Sequence, residues 1–273
     1  MRLNANFAEK PWGQLGVPHV DGGKPDLRIG EISFDHPAAQ QMPVLVKYLY
    51  TSERRSIQVH PDDHQARAAG HACGKDEMWI VLDAEPGATI GLGLRKKCMR
   101  KEVEAAIADG SVVDLVDWRP VRRGDVIYNR AGTIHAAGAG LVLLEVQQSV
   151  DLTYRLFDYG RPRELHLEAG LAVSRFEPHY DSRDCHHDLA TSRLLVDGPL
   201  FGAAWCAGGL PEGLPLNVDH WQVIVVTGSA TLGGLALAAG EAAYADNLSG
   251  LVVPEDSVVM LAWPAQIALA VAA

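Results

Sequence analysis

Basic residues are in short supply: 24 Lys and Arg stand against 34 Asp and Glu, a formal net charge of −10. A field of that sign repels polyanions, so neither a nucleic-acid partner nor an anionic membrane surface is expected. A small anion is compatible with it only where a few cations converge. Cysteine is sparse as well. Cys73, Cys98, Cys185 and Cys206 are scattered with no CxxC pair, which speaks against a disulfide framework and against a thiolate zinc site. No run approaches the about 18 apolar residues of a membrane span, and MRLNANFAEKPWG at the start lacks the basic-then-apolar layout of a secretion signal. A cytoplasmic protein is the expectation. What is abundant is apolar residues, 48% of 273, enough to fill a core without covalent staples.

The apolar residues are arranged in short runs. PVLVKYLY (43–50), RSIQVH (55–60), EMWIVL (77–82), ATIGLGL (88–94), DVIYN (125–129) and LVLLEVQQ (141–148) are continuous or alternating, and Gly, Pro and Asp separate them. That is the pattern of strands joined by turns. Between Lys101 and Trp118 the spacing of Val103, Ala106, Ile107, Val113, Leu115 and Val116 predicts one or two short helices around Gly110, an insertion in the β framework. EPHYDSRDCHHD (177–188) is polar and unpatterned and reads as a linker; its His179, His186 and His187 with Cys185 fit no common metal spacing and are expected to be solvated. Beyond it, WQVIVVTGSATLGG and LVVPEDSVVMLAW repeat the strand–turn–strand plan. The organisation expected is mainly β: a first sandwich domain over 1–176, a linker over 177–190 and a smaller lobe over 191–273. His220 in that lobe has no second ligand at metal spacing and is expected to be a partly buried, satisfied histidine.

Chemistry is concentrated in the first domain. Gln58 and His60 of SIQVHPDD, at i and i+2, project from one face of any strand that carries them, so they can grip one ion together. Glu77 of GKDEMW and His135 of AGTIHA would complete a mixed N/O site, with neutral imidazoles and an ionised carboxylate. Trp12 and Trp79 are candidates for stacking on a sugar, though core filling is the commoner use of tryptophan.

Gly124-Asp125 followed by a strand and Arg130-Ala131-Gly132-Thr133-Ile134-His135 resembles the second motif of the cupin jelly rolls, and QVH with Glu77 resembles the first. SIQVHPDD, GKDEMW, AGTIHA, EVQQSVDLTYRLFDYGR (145–161) and ELHLE (164–168) together resemble type I mannose-6-phosphate isomerases, in particular their short bacterial form. The similarity reaches upstream to KPWG (10–13), IGEIS (29–33) and PVLVKYL (43–49), covers roughly residues 1–176, and extends more weakly to the second lobe. It implies a cupin jelly-roll sandwich with a short helical insertion and a second, smaller cupin-like lobe. It also implies one divalent ion per chain, zinc, on Gln58, His60, Glu77 and His135. Arg155 and Lys75 take catalytic positions in that resemblance. Ser56, two residues before Gln58, Glu145 and Asp151 line the cleft that takes the sugar. Where cupins commonly carry Pro three residues before the motif's Thr, this chain has Arg130, which puts a cation near the site.

The implied reaction interconverts mannose 6-phosphate and fructose 6-phosphate through an enediol, a small phosphosugar being the partner and a monomer or homodimer the assembly. A guanidinium at Arg155 would stay charged and hold a sugar oxygen or phosphate, and Lys75, among like charges, would have a lowered pKa. Three alternatives stay open on the residues alone. His60, Glu77 and His135 suffice for an iron oxygenase, another sugar isomerase or epimerase could use the same ion, and a silent cupin could bind phosphosugar without turnover.

Overall fold

The computed structural model describes residues 1–17, 20 and 26–265; the end of the second lobe, 266–273, lies outside the described residues. The first part of the chain runs β1 (Asn4–Gln14), β2 (Ile29–Asp35), β3 (Val44–Thr51), β4 (Ile57–Val59), α1 (Asp63–Ala68), β5 (Glu77–Ala84) and β6 (Thr89–Leu94). Then come α2 (Arg100–Asp109), α3 (Val112–Leu115), β7 (Val116–Pro120), β8 (Asp125–Asn129), β9 (His135–Ala137), β10 (Leu141–Gln148), β11 (Tyr154–Phe157) and α4 (Leu167–Val173). The remainder is β12 (Cys185–His186), β13 (Arg193–Asp197), β14 (Phe201–Ala207), β15 (Trp221–Thr227), β16 (Ser229–Leu232), β17 (Leu235–Ala238), β18 (Ala242–Ala245) and β19 (Val258–Pro264).

These strands form three large antiparallel sheets, ordered β1-β2-β3-β10-β5-β8-β12, β11-β4-β9-β6-β7 and β13-β14-β19-β15-β18, plus the β16–β17 hairpin. The mainly β expectation is borne out, as is the helical insertion: α2 ends at Gly110, whose φ of 84° makes the left-handed cap that glycine supplies without strain.

The seven-stranded sheet is apolar on both faces because it lies in the middle. One face, with Leu49, Trp79, Val81 and Leu143, packs on Ile90, Leu92 and Ala137 of the five-stranded sheet. The other, with Tyr48, Met78, Ile80, Tyr128 and Val146, packs on Phe201, Trp205, Ile224 and Met260 of the third sheet. That is why β10 reads LVLLEVQQ without alternation and is buried at every position. The far face of the five-stranded sheet, with Ile57, Val59, Ile134 and Leu156, is closed by Val103, Ile107, Val112 and Leu171 of the helices.

The polar stretch after Glu177 differs from the solvated linker that its composition suggests. Cys185–His186 adds an edge strand to β8, and His179 and His187 are each only 3% exposed. His186 stays at the surface on Asp125. A linker without hydrophobic periodicity can be buried where its polar groups find partners, and His179 finds the Thr133 hydroxyl at 3.2 Å. His220 departs in the other direction: it is half exposed, stacked on Tyr244.

Candidate metal centre and cleft

At one end of the sandwich the two facing sheets present polar residues to each other. β4 and β9 pair with Gln58 opposite His135, and β5 begins at Glu77 across the gap. His60 follows β4 directly. The result is that one ligand atom each of His60, Glu77 and His135 lie within 4.8 Å of one another, all three residues buried. The nearest approaches are His60 Nε2 to Glu77 Oε2 at 3.4 Å and His135 Nε2 to Glu77 Oε1 at 3.3 Å.

Each imidazole is locked from behind. His60 Nδ1 lies 2.9 Å from the Leu152 carbonyl and His135 Nδ1 2.8 Å from the Thr133 carbonyl. A carbonyl can only accept, so each Nδ1 carries the proton and each Nε2 lone pair faces the centre. Burial pushes both imidazoles toward the neutral form, His60 with the Lys75 ammonium assisting and His135 down to about 3. For Glu77, burial would favour the neutral acid, but the Lys75 ammonium outweighs it and holds the carboxyl well below its usual range. Two neutral imidazoles and one carboxylate, sealed and pre-oriented, are a donor set that fits a divalent metal ion.

Gln58 is in place, with a difference from the expected amide-oxygen ligand. Its Nε2 lies 3.2 Å from His135 Nε2, and its Oε1 accepts from the Ser56 hydroxyl at 3.1 Å. Turning the amide over would present the oxygen to the centre, and the Ser56 hydroxyl could then accept where it now donates. Ser56, 3% exposed, thus touches Gln58.

Lys75 enters the same space. Its Nζ is 2.9 Å from Glu77 Oε2 and 3.3 Å from His60 Nε2. Burial disfavours its charged form, yet the carboxylates of Glu77 and Glu145 prevail and the pKa is raised, opposite to the lowering expected from nearby cations. Glu145, on β10, accepts from Trp79 Nε1 at 2.8 Å. Burial and the Glu77 charge push its pKa up. Trp79 in turn meets His135 edge-on with ring centroids 5.6 Å apart, so it is wall and core, closed to stacking on a ligand.

Arg155 stands opposite Gln58 across the β4–β11 pair. Its Nη1 donates to the Glu164 carbonyl at 2.6 Å, which fixes the guanidinium on the rim. Asp151 is exposed at the mouth, 3.8 Å from Lys47. Arg130 is turned away from the centre, with Nε 3.2 Å from Asp181 and Nη2 on the Tyr180 carbonyl; the cation expected near the ligands is spent on the linker.

Sequence reasoning passed over Asn129, whose Nδ2 donates to Glu77 Oε1 at 2.8 Å, and the charged wall of Lys10, Glu31, Lys47 and Arg55. Asn129 was within reach: it ends DVIYN on the same face as Ile127, opposite Glu77.

No family model matches the chain. Among curated proteins it is similar to the mannose-6-phosphate isomerase of Streptococcus mutans, 38% identical over 146 residues, which are 51% of this chain and 46% of that protein. It is similar also to mannose-6-phosphate isomerase ManA of Bacillus subtilis, 34% identical over 173 residues, 59% of this chain and 55% of that protein. The chain thus spans about half the length of the curated relatives it matches. The crystal structure of mannose 6-phosphate isomerase from Bacillus subtilis superposes with a TM-score of 0.78 at 23% identity, over 96% of this chain and 98% of that one. The fold is that of the phosphomannose isomerases. A zinc-bound mannose 6-phosphate isomerase aligns with a TM-score of 0.70 at 14% identity, covering 97% of this chain and 99% of that one. The family resemblance carried by the five motifs is borne out by these relatives.

Proposed function

We propose that the chain is a zinc-dependent mannose-6-phosphate isomerase, interconverting mannose 6-phosphate and fructose 6-phosphate through an enediol. The observation that carries this reading is the convergence of two Nδ1-locked imidazoles and a buried carboxylate in a chain of which 51–59% matches proteins of that name at 34–38% identity. His60, Glu77 and His135, with Gln58 turned to offer its oxygen, would hold the ion. When bound, the ion acts as a Lewis acid on adjacent sugar oxygens, worth several kcal/mol of transition-state stabilisation.

The chain's own residues do the rest. Moving a proton between neighbouring carbons places negative charge on two adjacent oxygens, and fixed cations stabilise it. Lys75, buried between Glu77 and Glu145, supplies one such charge at the floor of the cleft. Arg155 supplies another at the rim, its fork of donors suited to a sugar oxygen and its charge permanent, which disqualifies it as the base. Glu145 and Asp151 are acceptors for hydroxyls, Glu145 deep and Asp151 at the mouth. Ser56 acts through the Gln58 amide that it orients. The phosphosugar is the only partner in this reading. The protein works in the cytoplasm as a monomer or homodimer, and no helix among the described residues is long and apolar enough to cross a membrane.

The test is a coupled assay with mannose 6-phosphate on metal-stripped protein, before and after Zn2+, Mn2+ or Fe2+. Turnover restored by metal supports the reading. Tight phosphosugar binding without turnover under every metal would instead leave a binding protein, and metal-dependent oxygen uptake an oxygenase.

A further inference from the structure

Opposite the helices, β1, β2 and the residue before Ser56 build a wall whose charges the metal centre does not use. Arg55 lies deep in it. Its side chain is 11% exposed, and its Nη2 donates to Glu31 Oε1 at 3.1 Å. Lys10 approaches the second oxygen of the same carboxylate at 3.8 Å. Two cations therefore share one anion. The Trp12 indole lies under both, 5.5 Å from the Arg55 guanidinium and 6.0 Å from the Lys10 ammonium, so the fork is oriented before any ligand arrives. Arg163 also covers Trp12 but is committed to Asp158 by bonds of 2.6 and 2.7 Å. Arg55 is not saturated in this way: among the described residues its buried Nε has no partner, and neither has the buried Trp12 Nε1.

The charge balance of the cleft points the same way. Lys10, Lys47, Arg55, Lys75 and the rim Arg155 outnumber Glu31, Glu77, Glu145 and Asp151 by one, so a divalent ion on the ligand set leaves the pocket three positive charges in excess. A phosphoryl dianion offsets two of them. On the far side of Lys47 the loops form a groove, lined by Asp35, Gln40, Gln41, Ser149 and Asp151 among others, whose lining among the described residues includes no Lys or Arg. An anion is repelled there and drawn to the Arg55 wall.

We propose that Arg55, held by Glu31 and Trp12 and seconded by Lys10, recognises the phosphoryl group of the substrate, which sets the sugar's direction across the metal centre. This rests on the phosphosugar reading above. Glu31 acts as the resident counter-ion that the phosphoryl group relieves at Arg55.

The test has two readouts, one independent of turnover. Titration of inorganic phosphate into wild type, Arg55→Leu and Arg55→Lys, each in zinc-loaded and metal-stripped form, should show binding weakened between about ten- and hundredfold by the leucine and much less by the lysine, in both forms. Glu31→Gln should bind inorganic phosphate more tightly than wild type. In the coupled assay, the preference for mannose 6-phosphate over mannose, as a ratio of kcat/KM, should fall by a similar factor in Arg55→Leu. Melting curves exclude a variant that has not folded, and the lysine variant keeps the test open if the leucine variant unfolds. Phosphate affinity and preference within twofold of wild type in Arg55→Leu would overturn the assignment while leaving the isomerase reading intact. A wild-type protein that turns over no hexose phosphate would end the isomerase reading, and the phosphate titrations would still decide the role of Arg55.

Discussion

At the residue scale the cleft sorts its side chains by what each can lose. Glu77 is the anionic member of the proposed ligand set and is held by Asn129 and Lys75, so Glu77→Gln should leave the fold intact while bound zinc falls by at least about tenfold, measured by metal analysis after dialysis. Arg155→Ala removes a charge on the rim that no ligand depends on. Its expected effect is a fall in kcat of about a hundredfold or more with zinc content unchanged, and a kcat near wild type would remove Arg155 from the chemistry. The shared face of Gln58 and His60 was legible because a period of two is rigid: the two had to point the same way once the strand was granted. Ser56 on the Gln58 amide, Arg55 on Glu31 and Arg130 turned to Asp181 were not, because each depends on a partner from a distant segment, and spacing within one motif carries no information about that partner.

Elements bring those partners together, and the segment after Glu177 does so most clearly. His179 sits against Thr133, two residues from His135, and against the backbone of β6, where Gly93 has φ 73° and a Cβ would stand 2.5 Å from the His179 nitrogen. Gly93→Ala combines a left-handed backbone with a backbone clash, and should destabilise the protein by about 3 kcal/mol in urea unfolding. His179 itself couples this contact to pH. Burial, with Arg130 and Arg119 nearby, lowers its pKa to about 4, against about 6.5 in an unfolded chain. Between these values the unfolded chain binds the proton and the folded one does not, so this contribution is complete above about pH 6.5 and is lost as the pH falls toward 4. Urea stability of metal-stripped protein should therefore decline less steeply over that window in His179→Asn than in wild type; parallel declines would show that His179 takes up its proton alike in the folded and the unfolded chain. Six strands of the first half, β3, β4, β5, β6, β8 and β10, could be read to within two residues from alternation and turns, whereas β1, β2, β7, β9 and β11 were not picked out. Neither were α1, α4 and β12, which are short, and α1 is defined by its Asp62–Gln65 capping box, not by an apolar stripe.

For the whole molecule, the question is whether the second lobe is an appendage or part of the core. Its sheet covers the outer face of the seven-stranded sheet, where Tyr48, Tyr50, Met78, Ile80, Tyr128 and Val146 are all fully buried. Exposing six such side chains costs at least about 9 kcal/mol at 1.5 kcal/mol each, which is comparable to the entire stability of an ordinary domain. The chain also crosses between the two parts at its start: Leu3 donates to the Ala242 carbonyl and Tyr244 to that of Met1, each at 2.8 Å, so the end of β1 is stitched to β18. A chain cut after residue 190, at the boundary that composition suggests, would keep every ligand and every cation of the cleft yet lose the backing of the sheet that carries Glu77, Lys47 and Glu145. The expected outcome is that it fails to fold: no near-ultraviolet dichroism, strong binding of a hydrophobic dye and no zinc retained. The intact metal-free protein should correspondingly melt in one calorimetric transition. Two separated transitions, or a truncated chain that binds zinc, would show that the metal centre is supported by the first sandwich alone and that the third sheet serves another purpose.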